Sequence, residues 1–157
     1  MSPNTAFAIR EIRADEIAGT CWLRREMTLE LDGSDLDVKD RSWRDRYVKF
    51  FGGLIADGAG TLFVAEVDGL MVGLTAVYKP ADYRNLIYGR QSAIISHVYV
   101  IPARRRNGIA SALTSRAVQW AKERACVVVR LRSSTMGRPV YEALGFSPSD
   151  EMELRLP

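Results

Sequence analysis

A glycine-containing turn between a predicted strand and a predicted helix carries the most recognisable chemistry of this chain. The strand ends at Pro102, and a polar turn that contains Gly108 follows. From Ile109 onward apolar residues recur at helical spacing, so we expect a long amphipathic helix to begin there. The first turn of a helix has unpaired backbone N–H groups and a partial positive charge, which suit a phosphate or pyrophosphate. Gly108 lets an anion approach the backbone closely, and Arg105 adds a permanent positive charge.

Two segments of the chain resemble motifs of one enzyme family. Gly108 alone would also fit an ordinary solvated turn with surface arginines. Residues 105–110, however, are similar to the Arg/Gln-x-x-Gly-x-Gly/Ala signature of the GNAT N-acetyltransferase superfamily. Residues 137–146 are similar to the family's Leu-Tyr-Glu-Lys-Leu-Gly-Phe ending. The two motifs together are more specific than either alone, and the resemblance implies an acetyl-CoA-dependent N-acetyltransferase without a metal.

The resemblance implies a continuous set of acetyl-CoA-binding residues on both sides of the turn. Backbone amides of the first motif would hold the pyrophosphate, while the preceding strand would offer backbone groups to the pantetheine arm and the thioester. The arginines beside Arg105 would extend the positive charge toward the 3′-phosphate of coenzyme A. The predicted cofactor-binding residues are Val98, Tyr99, Val100, Arg105, Arg106, Asn107, Gly108, Ile109, Ala110 and Ser111.

Tyr141 is the predicted catalytic residue, because it matches the tyrosine of the second motif. A phenol with a reference pKa of ~10 keeps its proton at neutral pH and can donate it to the leaving thiolate. Packing beneath the last strand is the alternative role for this side chain. The resemblance implies a general base on the central strand, but the matching positions hold Ile94 and Ser96, and neither side chain can act as one. His97 is the only histidine, but strand alternation predicts that it points away from the face of Ile94 and Ser96.

The missing strand acid leaves two functions open. The first is acetyl transfer by direct attack of a primary amine of a small molecule or peptide, with the acceptor and the range of acyl groups undefined. The second is a non-catalytic acyl-CoA-binding sensor or regulatory domain of the same fold. A nucleic-acid partner is not expected, because the net charge is only +3 and no aromatic platform accompanies the arginine triplet. A homodimer is an expectation from the family alone.

Length and composition restrict the class of protein. A chain of 157 residues predicts one domain over residues 1–157. We predict no membrane partner, since no apolar run approaches the ~20 residues of a membrane span. Residues 1–5 lack the features of a signal peptide, and the two cysteines are isolated, so we expect a cytoplasmic location. One histidine and no Cys-x-x-Cys pair predict no metal site.

The predicted elements give an α/β fold with a mixed, mostly antiparallel central sheet and helices on both faces. The resemblance further implies that the central strands splay apart to admit the coenzyme. The aromatic residues of the N-terminal helices fit core packing against the sheet. The resemblance implies instead that this region shapes the acceptor site, so we expect some of Trp22, Trp43 and Tyr47 to be half exposed. The predicted strands are 6–12, 61–67, 70–78, 91–101, the buried-type strand 126–131 and the closing strand 152–156. The first predicted helix begins at residue 14, and three further helices are predicted over 38–55, 109–125 and 137–144. Residues 82–90 are predicted to form a loop or a short irregular element.

Overall fold

The strands pair in the order in which they occur along the chain, forming a sheet of five strands. The computed structural model describes residues 6–157, so the expectation about residues 1–5 lies outside the described residues. The first four strands are antiparallel, and the last pair is parallel. The strands are β1 (Ala8–Glu11), β2 (Gly60–Val67), β3 (Leu70–Tyr78), β4 (Gln91–Val100) and β5 (Cys126–Leu131). The α-helices are α1 (Cys21–Asp32), α2 (Leu36–Lys39), α3 (Trp43–Ala56), α4 (Tyr83–Tyr88), α5 (Ile109–Glu123) and α6 (Arg138–Ala143), with 3₁₀ turns at Ala14–Thr20 and Pro102–Arg104.

Each face of the sheet is covered by helices and has its own apolar core. On one face, α5 buries an apolar stripe that includes Leu113 and Trp120 against β2, β3 and β4. On the other face, α1 and α3 bury Leu23 and Phe51 against β2 and β3. The predicted fold class is therefore confirmed. No helix within residues 6–157 combines the length and apolar character that a membrane crossing requires.

The β2–β3 hairpin is confirmed where the sequence places it. Asp68 and Gly69 connect the strands, and both have positive φ, at +50° and +76°. This is the conformation of a two-residue hairpin turn whose twist matches that of the strands.

A β-bulge in β4 overturns one prediction from strand alternation. Ile95 pairs with Val77, but His97 pairs with the next residue of β3, Ala76, so Ser96 has no counterpart. An inserted residue reverses the alternation beyond it. His97 therefore lies on the face of the sheet that α3 covers. Ile94 lies on the same face, because it pairs with Tyr78, whose ring contacts Phe50 of α3. The prediction that Ile94 and His97 point to opposite faces is wrong.

The C-terminal part of the sheet departs most from the sequence prediction. Residues 152–156 form no strand, and their apolar side chains are exposed, so the predicted closing strand is wrong. The β5 strand is an edge strand rather than a buried one: the exposed fraction of Val127 is 64% and that of Val128 is 37%. An apolar run of this length does not distinguish a central strand from an edge strand, because the pattern reports hydrophobicity and not pairing.

Two helical predictions need smaller corrections. The predicted helix 38–55 is divided, because Asp40 is extended and ends α2 before α3 begins at Trp43. The segment predicted as a loop or irregular element contains α4, whose first turn is capped by the Asp82 carboxylate accepting from the Arg84 N–H at 2.9 Å. Gly145 follows α6 with φ of +91°, as expected for a glycine after a helix end.

Candidate active site

The backbone conformation of the loop before α5 is fixed by hydrogen bonds from a side chain of the loop itself. Asn107 donates from Nδ2 to the carbonyl oxygens of Arg104, at 3.1 Å, and Arg105, at 3.0 Å. Arg106 and Gly108 both have positive φ, at +64° and +78°. A non-glycine residue in this region is uncommon and is maintained only where the surroundings fix it. The loop is therefore a fixed turn whose polar side chain is used internally.

The backbone N–H groups at the start of α5 are left without partners. The first helical hydrogen bond joins the Ala112 N–H to the Gly108 carbonyl at 3.0 Å, and no side chain caps the helix. Among residues 6–157, nothing accepts a hydrogen bond from the N–H groups of Ile109, Ala110 or Ser111. These donors lie at the positive end of a 15-residue helix, an arrangement that suits an anion.

A split in the sheet leads to this turn. The pairing of β4 with β5 runs from Gln91 opposite Cys126 to Ile95 opposite Leu131 and then stops, while β4 continues to Val100. The β5-facing edge of β4 is therefore free of strand partners along its last residues. Val98, Tyr99 and Val100 lie on this stretch, directly before the loop. The structure thus brings the predicted strand residues and loop residues into one continuous region.

Arg105 is engaged by the protein itself. Its Nε donates to the Val100 carbonyl at 2.9 Å, and its two terminal nitrogens donate to the Glu30 carboxylate at 2.6 and 2.7 Å. The Tyr99 hydroxyl donates to the same carboxylate at 3.3 Å. The hydrogen bonds from Arg105 hold the pKa of Glu30 below its usual range. In this arrangement the Arg105 side chain fastens the loop to α1.

Tyr141 is buried beside β5 and lines a cavity of its own. Its ring packs edge-to-face on Phe146 at 6.1 Å, and its side chain is 9% exposed. Its hydroxyl makes no hydrogen bond with any part of the chain that the structure describes, and burial raises its pKa. It lines a cavity of about 630 Å³ between β5, α6 and residues 147–151. No residue of β4 lines this cavity, so it does not join Tyr141 to Val98, Tyr99 and Val100.

His97 lies on the face of β4 that α3 covers. It is 8% exposed, and the centroid of its ring lies 6.2 Å from that of Tyr47 and 5.9 Å from that of Phe51. Its Nδ1 shares a 2.9 Å hydrogen bond with the Ser96 hydroxyl, while Nε2 is buried with no partner among the described residues. Burial, with a smaller contribution from the positive charge of Arg24, lowers the pKa of His97 to about 3. The imidazole is therefore neutral at physiological pH.

A polar row that runs from the 3₁₀ turn into α1 lies beside Tyr47 and His97, and sequence reasoning did not assign it a function. Thr20 shares a 3.3 Å hydrogen bond with the Tyr47 hydroxyl, and Arg24 lies one turn further along the same row. Polar residues at i and i+4 within a packed helix face are the signal that would have indicated it. Trp22 is 43% exposed and Tyr47 is half-buried, as expected, whereas Trp43 is buried. Within residues 6–157 there is no group of three or more metal-ligating side chains.

Known proteins share both the fold and part of the sequence. A predicted acetyltransferase of Clostridium acetobutylicum, solved with acetyl-CoA, superposes with a TM-score of 0.78 at 26% identity, and the match covers 96% of each chain. An uncharacterized N-acetyltransferase of Methanocaldococcus jannaschii is 30% identical over 115 residues, which are 71% of this chain and 49% of that protein. An aminoglycoside N(6′)-acetyltransferase type 1 of Klebsiella aerogenes is 29% identical over 105 residues, 67% of this chain and 65% of that protein. The chain spans less than two thirds of the length of either relative. The model of the acetyltransferase (GNAT) family matches residues 21–146, so the chain belongs to that family.

Proposed function

We propose that this protein is an N-acetyltransferase that moves the acetyl group of acetyl-CoA to a primary amine by direct attack. The uncharged amine nitrogen attacks the thioester carbonyl, a C–N bond forms and the C–S bond breaks. One proton leaves the nitrogen, and one proton reaches the departing sulfur. No covalent enzyme intermediate is needed, because both substrates meet in one site.

The unpaired N–H groups at the start of α5 are the observation that carries this proposal. Ile109, Ala110 and Ser111 present three donors in one turn, at the end of a strand that is free along its β5-facing edge. Donors in this arrangement suit a diphosphate, and the free edge suits an extended chain with amides of its own, as in the pantetheine arm. Family membership and the acetyl-CoA in the Clostridium acetobutylicum structure support acetyl-CoA as the donor.

The backbone near the split is proposed to stabilise the reacting carbonyl. Of the three strand residues, Val98 and Val100 turn their backbone groups to the edge that β5 leaves free, and the Val100 carbonyl there accepts from Arg105, whereas the Tyr99 carbonyl lies beside Gly73 of β3. An N–H group directed at an oxyanion is commonly worth about 3 kcal/mol of transition-state stabilisation. Such a donor is present before the reaction and needs no proton transfer of its own.

Tyr141 is proposed as the general acid that protonates the leaving thiolate. Burial raises its pKa, so the phenol stays protonated at neutral pH. Its hydroxyl has no hydrogen-bond partner among the described residues and is therefore free to donate. The role also rests on its place in the motif at residues 137–146.

A non-catalytic acyl-CoA-binding domain is the second candidate, and the side chains of β4 favour it. Ile94 and Ser96 supply no base on this strand. A sensor needs the coenzyme site but no proton transfer.

Two measurements on the same preparation test the proposal. Calorimetry with acetyl-CoA is expected to give a micromolar or tighter dissociation constant. Thiol release in the presence of a panel of primary amines is expected to exceed the rate without amine. Binding without amine-dependent thiol release would favour the sensor, and absence of binding would overturn both candidates.

A further inference from the structure

Arg24 is a half-buried cation without a counter-ion, and its neighbour shows how unusual that is for α1. Arg25 forms ion pairs with Asp35 and Asp37, at 2.5 and 3.2 Å. Arg24 forms no ion pair with any residue in the range 6–157, and its guanidinium donates only to the Thr28 hydroxyl. Burial lowers the pKa of Arg24, yet a guanidinium remains charged at any physiological pH. Removing a charge from water without a partner is costly, so this position favours an anion.

Apart from Asp32, the groups around Arg24 are polar but neutral. Tyr47 shares its hydroxyl with Thr20 at 3.3 Å, and burial raises its pKa to about 12. His97 is more than nine-tenths buried, and its Nε2 has no hydrogen-bond partner among the described residues. Asp32 is the acid whose charge acts on Arg24, but it caps the end of α1 by accepting from the Ser34 N–H at 2.8 Å. None of these groups neutralises the guanidinium.

The location of this cluster relates it to the acceptor rather than to the donor. His97 directly precedes Val98, the first of the strand residues proposed to meet the thioester. The anion site at the start of α5 lies beyond the far end of the same strand, after Val100. An amine that attacks the thioester from the α1 side of β4 would place its other substituents near Arg24.

We propose that Arg24, Tyr47 and His97 form a subsite for a carboxylate carried by the amine acceptor. The inference rests on the proposed acetyl transfer and deepens it by naming the acceptor class, amines that also carry a carboxylate. Arg24 supplies the charge, and the neighbouring hydroxyl and imidazole supply neutral hydrogen-bonding groups. A polycationic acceptor, of the kind that the Klebsiella aerogenes relative is named for, would be repelled by an unpaired guanidinium.

Matched acceptors isolate the carboxylate. We would measure thiol release with 3-aminopropanoate and 4-aminobutanoate and with their carboxamides, whose amines sit at the same distance from the variable group. The acids are expected to exceed the amides in kcat/KM by about tenfold or more, as for a charge-assisted hydrogen bond. Arg24→Gln should reduce that ratio to near one. Arg41→Gln is the control, because Arg41 is exposed and forms no ion pair among the described residues, and it should leave the ratio unchanged.

Each other outcome overturns the subsite, and the readouts separate it from the proposed function. If acids and amides react equally, or if only the amides react, the subsite is wrong while acetyl transfer stands. If Arg24→Gln weakens acetyl-CoA binding in calorimetry, Arg24 belongs to the donor site. If neither member of either pair releases thiol although acetyl-CoA binds and other amines react, the carboxylate class is wrong. If acetyl-CoA does not bind, the proposed function itself fails.

Discussion

The strand β4 carries two candidate sites that are built in different ways. At its C-terminal end, the start of α5 presents backbone N–H groups, and the side chain of Arg105 is used to hold the loop. Near its bulge, the cluster around Arg24 and His97 consists of side chains from α1, α3 and β4. The first site comes from one continuous segment, whereas the second requires three separate elements to meet. This difference explains why a local motif reveals one site and not the other, and it gives each site a distinct sensitivity to substitution.

The largest effect is expected for Tyr141→Phe. If Tyr141 acts as the general acid, loss of its hydroxyl should lower kcat by about 100-fold or more, while the acetyl-CoA dissociation constant stays unchanged. The folded protein should tolerate this change, because the hydroxyl has no hydrogen-bond partner among the described residues. Steady-state thiol release and calorimetry measure the two quantities. Tyr83→Phe, at an exposed site on α4, is the control. Equal turnover of both variants would remove Tyr141 from the chemistry.

Gly108→Val should weaken coenzyme binding, while its loss of stability should not exceed that of a matched glycine variant. Gly108 has φ of +78°, and a Cβ there would meet no atom within 4 Å, so a side chain would occupy the space in front of the helix start. Gly69, with φ of +76° and equally open surroundings, carries the same backbone strain at the β2–β3 turn. We expect Gly108→Val to weaken acetyl-CoA binding by about 100-fold and Gly69→Val to leave it unchanged.

Unfolding free energies of the two variants provide the check on strain. Each should lose about 1–2 kcal/mol, as for a non-glycine residue in the left-handed region. Similar stabilities with different affinities would show that the start of α5 is the binding site. Similar affinities would mean that the backbone of this turn is not the donor site.

The fold and the turn before α5 could be predicted because their signals are local. Period-2 and period-3.6 patterns placed β2, β3 and α5, and Asp68 and Gly69 marked the hairpin. The helix start at Ile109 follows from a short stretch of sequence. Features that depend on pairing between distant segments were not predictable in this way.

Three such features show the physical reason. The bulge at Ser96 depends on how β4 aligns with β3, and alternation within β4 alone assigns His97 to the wrong face. The edge position of β5 and the unpaired state of residues 152–156 depend on which strands find partners. The cluster of Arg24, Tyr47 and His97 requires residues that lie far apart in the sequence, and none of them belongs to a motif.

A pH-dependent loss of stability should distinguish the side-chain site from the backbone site. The pKa of His97 is about 3 in the folded protein and near 6.5 in the unfolded chain, so falling pH protonates the unfolded chain first. Stability from this group is fully present above pH 6.5 and is lost progressively as the pH falls toward 3. Between pH 7 and pH 5 the wild type should lose about 2 kcal/mol more than His97→Gln.

The single histidine makes this measurement clean. Ion-paired carboxylates such as Glu16, whose pKa is lowered to about 2, stay ionised in both states above pH 5. Denaturant unfolding at the two pH values gives the free energies. Equal losses in the wild type and in His97→Gln would mean that the folded protein accommodates a charged imidazole.

The smallest effect is expected for Glu30→Gln, which loosens the link between the two sites. The carboxylate of Glu30 on α1 pairs with Arg105 of the loop at 2.6 Å, and the two side chains are about one third exposed. A partly exposed pair of this kind contributes about 1 kcal/mol or less to stability. If the Arg105 side chain also serves the coenzyme phosphates, its release from Glu30 should tighten acetyl-CoA binding by about two- to fivefold. If Arg105 only fastens the loop, Glu30→Gln should weaken acetyl-CoA binding instead. Calorimetry at low and high salt separates the two roles of Arg105, because salt screens a contact between Arg105 and a phosphate more strongly than it affects the anchoring of the loop.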